Sequence, residues 1–256
     1  KCGSRDFLHV HHLVPRSKGG KDEPSNLITL CEKCHAGVHL ERQVSLGERV
    51  LRQLISKIQR IFFGKKPEID FVLKTYFGFP SLYGYQKKVI KAILSKQDSL
   101  IVMPTGSGKS LCYQLPALLL PGTSIVISPL IALMRDQVRE LHLKGIPATY
   151  INSELGKEEK EKRLRLAEEG VFKLLYVAPE RFLVESFKKI LPNLKISLFV
   201  VDEAHCIEKW GESFRPAYLK LREMIKISKP FCIAAFTATA NPSTQEIIKK
   251  ELGLSL

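Results

Sequence analysis

The chain has 256 residues, of which 45% are hydrophobic and 26% charged. That apolar content is enough to bury a core, which excludes a disordered chain, and no apolar run approaches the roughly 18 residues that a membrane span needs. Lys plus Arg is 40 against 26 for Asp plus Glu, a net charge of +14, which suits a polyanionic partner, nucleic acid before membrane, although a solvated basic surface gives the same count.

The first block, Lys1 to about Leu40, is rich in Cys and His and poor in long apolar runs. Such a block cannot build a large core and needs a metal staple. Cys2, Cys31 and Cys34 lie here beside five of the seven histidines, whereas Cys112, Cys206 and Cys232 stand apart in apolar or motif contexts. That placement points to an intracellular metal site plus free thiols rather than a disulfide framework. Cys31 and Cys34 have the Cys-x-x-Cys spacing that lets two thiolates grip one Zn²⁺, and Cys2 is a third. A structural zinc takes four ligands, so the fourth is expected two residues before Lys1. Residue 1 is Lys and the chain stops at Leu256 in a helix-patterned segment, so a piece of a longer protein is expected.

Residues 43–66 carry apolar side chains at Val44, Leu51, Leu54, Ile55, Ile58 and Ile61–Phe63, spaced as on a helix. Six basic residues and one acid make this a basic helical connector, ended by Gly64 and Pro67. It either contacts phosphates or is a plain linker with a solvated face.

From Pro67 onward strands and helices alternate. Strands are predicted at Ser99–Met103, Ser124–Ser128, Leu174–Val177, Ser197–Val201 and Phe231–Phe236. Helices are predicted at about Lys109–Leu119, Leu130–Lys144, Lys157–Glu169, Ala217–Ile227 and Pro242–Glu251. The alternation implies an α/β fold with a parallel sheet covered by helices on both faces.

The run Met103-Pro104-Thr105-Gly106-Ser107-Gly108-Lys109-Ser110 joins a predicted strand to a predicted helix. Glycines let the backbone turn its N–H groups toward phosphate oxygens, and the helix start adds a positive dipole end. Lys109 is placed to reach the β- and γ-phosphates, and Ser110 to ligate Mg²⁺. Met103 stands where the generic phosphate loop has its first glycine. A chance glycine-rich turn is the rival, and Gly-Lys-Ser directly after an apolar strand argues against it. About ninety residues later, Asp202-Glu203-Ala204-His205 follows the apolar run Leu198–Val201. An acid pair at a strand end is usually a helix cap. With the phosphate loop it becomes the second half of an ATPase site, Asp202 holding Mg²⁺ mostly through water and Glu203 orienting and deprotonating the attacking water.

From about Phe71 to the end, these and further runs resemble the first motor domain of RecQ-type superfamily 2 DNA helicases. The matching runs include Phe77-Gly78 with Gln86, Met103–Pro116, Ser128–Met134 with Asp136-Gln137-Val138, Tyr176–Arg181, Asp202–Cys206, Trp210-Gly211, Phe214-Arg215-Pro216 and Thr237–Ala240. The resemblance implies a RecA-like parallel sheet flanked by helices. It implies ATP and Mg²⁺ as cofactors, DNA as partner, and a cytoplasmic, nucleoid-associated setting with no membrane. It assigns adenine recognition to Gln86 and strand contact to Ser128–Asp136. Coupling of hydrolysis to movement falls to His205, Thr237 and Thr239. DNA contact falls to Trp210, Phe214 and Arg215, where aromatic rings can stack on bases and a guanidinium can pair with phosphate.

Two departures stand out. The family has Phe-Arg shortly before the adenine glutamine, whereas this chain has Leu82-Tyr83, so an arginine contact to the base is lost or replaced by stacking. In the aromatic loop Glu208, Lys209, Glu212 and Ser213 replace Ser, Gln, His and Asp. Superfamily 2 motors also close ATP against a second RecA-like domain that supplies an arginine finger. That second domain is expected to be a missing part of the same polypeptide, so the fragment is expected to bind ATP weakly, to hydrolyse it poorly and to unwind nothing.

The N-terminal block resembles an HNH endonuclease, a small zinc-stabilised ββα-metal domain, through His11-His12, Asn26 and Cys34-His35. The resemblance makes His12 the general base. It makes His11 and His35 ligands of one catalytic divalent metal, with His39 a further candidate, and it makes Asn26 the residue that fixes the loop around His12. Structural zinc would be held by Cys2, Cys31 and Cys34. A zinc module that only binds DNA is the rival. The expected organisation is residues 1–42 as the HNH-like domain, 43–66 as the basic helical linker and 67–256 as the helicase ATP-binding domain.

Overall fold

The computed structural model describes residues 8–12, 23, 27–31, 68–209, 217, 218 and 220–255. Its backbone divides into two units, residues 1–53 and 54–256. In the first unit, β1 (Leu8–His12) pairs antiparallel with β2 (Leu27–Cys31), with Leu8 opposite Cys31 and His12 opposite Leu27. These are the two strands expected of a ββα domain. His11, His12 and Cys31 are placed on them as backbone positions. Cys2, Cys34, His35, His39, Asn26 and the linker at 43–66 lie outside the described residues.

The second unit is built on six parallel strands: β3 (Ser99–Val102), β4 (Thr123–Ile127), β5 (Ala148–Ile151), β6 (Leu174–Val177), β7 (Ile196–Val201) and β8 (Cys232–Thr237). They lie in the order β3-β8-β7-β4-β6-β5. Every residue of β4, β6, β7 and β8 is buried, as sheets covered on both faces require, which is why runs such as Ile125-Val126-Ile127 read as continuously apolar. At the edge, β3 leaves Val102 exposed.

The covering helices are α1 (Ile69–Val72), continued by a wider π-type turn over Leu73–Phe77, then α2 (Gly84–Leu94), α3 (Lys109–Leu119), α4 (Ile131–Leu143), α5 (Lys157–Glu168), α6 (Glu185–Ile190), the single turn α7 (Cys206–Lys209), α8 (Leu221–Ser228) and α9 (Pro242–Leu252). Local chemistry sets the ends of α9. Asn241 Oδ1 accepts from Thr244 N at 2.8 Å, Pro242 takes the first helical position, and Gly253 closes the helix at φ 67°. Helix α3 drives Cys112, Tyr113, Leu115, Ala117 and Leu118 into the core, where Tyr113 meets Phe236 of β8 edge to face at 5.4 Å. The loops at the sheet's carboxyl edge are thereby carried on a packed base. Among the described residues, no helix is long and apolar enough to cross a membrane.

Candidate active site

Strands β3, β8 and β7 are neighbours, and their carboxyl ends carry the three runs that the sequence singles out. Successive strands β3 and β4 are separated by β8 and β7, and such crossovers open a crevice beyond the carboxyl ends of a parallel sheet. Backbone bonds set the depth of each run: Met103 N donates to Thr237 O at 2.9 Å, Ala204 N to Phe236 O at 2.8 Å and Asp202 N to Ile127 O at 2.8 Å.

After β3 the chain turns tightly. Ser107 donates to Pro104 O through its N–H at 3.3 Å and through Oγ at 2.5 Å. Gly106 and Gly108 take φ of 76° and 81°, which side chains rarely adopt. At Gly108 a Cβ would also stand 2.5 Å from Gln86 Nε2. Helix α3 then begins at Lys109, with Ser110 beside it. The Lys109 Nζ is buried and has no hydrogen-bond partner, and Glu203 Oε1 lies 3.7 Å away. A buried ammonium without hydrogen bonds is costly. Phosphate oxygens delivered by a nucleotide satisfy it, so the residues present fit ATP.

The two acids differ in environment. Asp202 is 7% exposed. Burial pushes its carboxyl up to about 6, helped by the neighbouring Glu203 charge and opposed by the Glu203 N–H and Lys109. Glu203 has φ 51°. Among the described residues, the other two non-glycine residues with positive φ, Lys96 and Lys229, follow helix ends, where this is common. Glu203 follows a strand, where a positive φ is uncommon for a residue with a side chain.

His205 joins the acids to the end of β8. Its Nδ1 lies 2.9 Å from Thr237 Oγ1 and 3.3 Å from Glu203 Oε2. Thr237 Oγ1 donates to Thr239 O at 2.9 Å, so its oxygen is left to accept, and the imidazole carries its proton on Nδ1. Thr237 is fully buried. The expected coupling residues His205, Thr237 and Thr239 are thus brought together in one hydrogen-bonded chain, with the Glu203 carboxylate beside its imidazole.

Gln86 is 4% exposed. Its Oε1 accepts from Tyr83 N at 3.0 Å, and its Nε2 donates to Ser107 O at 3.2 Å. The glutamine assigned to adenine therefore holds the phosphate loop with its amide. Sequence reasoning missed Tyr85, whose hydroxyl donates to the same Ser107 carbonyl at 3.2 Å. It also missed Thr244, whose Oγ1 donates to Glu208 Oε2 at 2.5 Å and links α7 to α9. No spacing signals either contact. Trp210, Phe214 and Arg215 lie outside the described residues. Among the described residues, no group of three or more His, Cys, Asp or Glu is disposed to hold a metal ion.

Residues 83–247, more than half of the chain, match the model of the DEAD/DEAH box helicase family. The chain belongs to that family. Residues 1–41 match the HNH endonuclease model. The helicase region is similar to the ATP-dependent DNA helicase RecQ of Haemophilus influenzae, at 46% identity over 191 residues, covering 74% of this chain and 31% of the relative. It is also similar to the RecQ of Bacillus subtilis, at 44% over 184 residues, covering 71% and 31%. The chain thus spans 31% of the length of each of these relatives. Among solved structures, the helicase domain of Pyrococcus furiosus Hef superposes with a TM-score of 0.54 over 67% of this chain and 36% of that one. At 21% identity the likeness is one of fold. The RecA-like parallel sheet expected from the sequence is the architecture found.

Proposed function

We propose that residues 67–256 are the nucleotide-hydrolysing first motor of an ATP-dependent DNA helicase, joined through the basic linker at 43–66 to an HNH nuclease domain at 1–42. The observation that carries the motor reading is the buried Lys109 ammonium at the start of α3, which has no hydrogen-bond partner and faces the Glu203 carboxylate 3.7 Å away. The loop Met103–Gly108 cradles phosphates, Lys109 pairs with their charge, and Ser110 and Asp202 hold magnesium. A bound magnesium ion supplies positive charge beside the phosphates and brings Asp202 fully into its ionised form. Glu203 takes a proton from water onto its carboxylate, and His205 fixes that carboxylate against Thr237 and Thr239. Trp210, Phe214 and Arg215 contact the DNA strand.

Hydrolysis of ATP with and without single-stranded DNA tests this. Slow turnover abolished by Glu203→Gln, with ATP binding retained, is expected. An equally active Glu203→Gln variant contradicts the assignment. The isolated chain is expected to unwind nothing, because an arginine supplied from a partner surface is worth about 10³–10⁵ in rate in nucleotide hydrolases. Robust DNA-stimulated turnover by this chain alone overturns that expectation. A motor acting on RNA is the alternative, and stimulation by DNA against RNA separates the two.

For the first unit, the HNH match over residues 1–41 and the β1–β2 hairpin support a nuclease. In this proposal His12 is the base, His11, His35 and His39 hold a divalent metal, Asn26 fixes the loop, and Cys2, Cys31 and Cys34 bind structural zinc. Plasmid nicking with Mg²⁺ or Mn²⁺, lost with chelator and in His12→Ala, is the expected result. DNA binding without cleavage under any metal makes the block a zinc-stabilised DNA-binding module. An intracellular, nucleoid-associated setting follows from the same proposal.

A further inference from the structure

Nucleotide hydrolysis leaves the Cys206 thiol unused, although it stands beside the site. Cys206 is buried and directly follows His205. The imidazole carries its proton on Nδ1, toward Thr237 and Glu203. Its Nε2 therefore offers a lone pair, and Cys206 Sγ lies 3.8 Å from it, within reach of a thiol donor. The Glu203 carboxylate stands 3.3 Å from the opposite ring nitrogen. Carboxylate, imidazole and thiol thus follow one another in the order that activates a cysteine nucleophile. The ring takes the thiol proton, and the carboxylate steadies the imidazolium that forms.

A second group faces the sulfur. Tyr218 is 3% exposed, its hydroxyl has no hydrogen-bond partner, and Cys206 is the side chain that acts on it most strongly. A buried hydroxyl without a partner costs free energy, and an oxygen atom added to Sγ supplies one. Two other thiols give the contrast. Burial pushes Cys112 up to about 12 and Cys232 up to about 11, which keeps both inert.

We propose that Cys206 is a redox site: a peroxide converts its thiol to a sulfenic acid, and the added oxygen displaces His205 and stops hydrolysis. His205 Nε2 takes the thiol proton. The thiolate attacks one peroxide oxygen, so an S–O bond forms and the O–O bond breaks. Sulfur gives up two electrons, and the leaving hydroxide takes the proton from His205 and departs as water. Glu203 and His205 keep 19% and 24% of their side chains exposed, so a small oxidant reaches the thiol from the crevice. With the ring displaced, Glu203 loses the group that fixes it. The effect on turnover rests on the ATP-site reading, whereas the oxidation itself does not.

Peptide-resolved mass spectrometry of the 256-residue chain, treated with hydrogen peroxide and then with dimedone to trap sulfenic acid, tests the site. Wild type, His205→Asn, Tyr218→Phe and Cys206→Ser are compared, each also in urea. Folded wild type is expected to label at Cys206 at least about tenfold faster than at Cys112 or Cys232. His205→Asn is expected to lose about tenfold or more of that rate, since a positioned base is worth about 10²–10⁴-fold. Tyr218→Phe, which removes the hydroxyl that receives the new oxygen, is expected to lose a smaller part. A variant that has merely unfolded labels Cys206, Cys112 and Cys232 alike, as the urea samples do. Equal labelling of the three in folded wild type, or an unchanged Cys206 rate in His205→Asn, overturns the proposal. Oxidised wild type is also expected to hydrolyse ATP at least about tenfold more slowly while binding it within about twofold, and to recover in dithiothreitol. Turnover of Cys206→Ser is expected not to respond to peroxide. Labelling at Cys206 without loss of turnover overturns the switch. A chain that binds no ATP overturns the nucleotide reading, which is a different failure, and the labelling still decides the thiol.

Discussion

Replacing Gly108 with alanine probes the joint between the phosphate loop and α2. A left-handed conformation costs an L-residue about 1–2 kcal/mol relative to glycine, and Gly108 sits at φ 81°. The new Cβ would meet Gln86 Nε2 at 2.5 Å. That atom ends a flexible side chain and can move, but moving it breaks the bond to Ser107 O, at about 0.5–1.5 kcal/mol. The stiffer unfolded chain of the alanine variant returns about 0.4–1 kcal/mol. The net loss is about 0.5–3 kcal/mol, or a fall of roughly 1–12 °C in melting temperature for a unit of this size. Circular dichroism melts measure it, and calorimetry on the same samples is expected to show ATP affinity lowered at least about tenfold, since the displaced Gln86 no longer pins Ser107. Gly84→Ala is the control. Gly84 opens α2, has no left-handed φ, and nothing lies within 4 Å of its Cβ position, so stability is expected to hold or rise by a few tenths of a kcal/mol. A Gly108→Ala protein that melts with wild type and binds ATP equally well refutes this reasoning.

Other positions give independent tests. His142 is half-buried on α4 with Nε2 2.7 Å from Ala148 O, and desolvation, with Arg163 adding, lowers its pKa below 6.5. The unfolded chain therefore binds the proton more tightly, so His142 contributes stability above pH 6.5 that is lost as the pH falls. Denaturant melts across pH 7 to 5 are expected to show a shallower acid limb in His142→Gln, and an unchanged limb argues against a desolvated neutral imidazole. Asn241→Ala removes the cap acceptor that serves Thr244 N. It is expected to cost about 0.5–2 kcal/mol in chemical denaturation, and a loss below a few tenths contradicts the capping role.

The sheet was largely legible because β4, β6, β7 and β8 are buried on both faces, and their apolar runs have no competing pattern. Their observed ends differ from the predicted ones by a residue or so, as hydrogen-bonded boundaries do. Strand β5 is absent from the predicted set. It has four residues, lies at the sheet edge, and Thr149 interrupts its apolar character, so only pairing to β6 makes it a strand. Helix α2 is also absent from that set. Ile90 and Ile93 are its buried apolar face among lysines, and a stripe that narrow is a weak signal until α3 packs on it. In the site, the phosphate loop and the Asp202–His205 run are contiguous, so residue order alone exposes them. The contacts His205–Thr237 and Tyr85–Ser107 join positions 32 and 22 residues apart. They exist only because β7 and β8 are neighbours and because α2 lies beside the loop, which no local pattern encodes.

The chemistry proposed for this chain stands on Lys109 and the loop that presents it. Calorimetric titration of the wild-type chain with ATP, in magnesium and then in chelator, tests this most directly, with Lys109→Met alongside. One ATP bound per chain, weakened by chelator and lost in Lys109→Met while the fold persists, is the expected result. No binding at millimolar ATP, or equal binding by Lys109→Met, contradicts it.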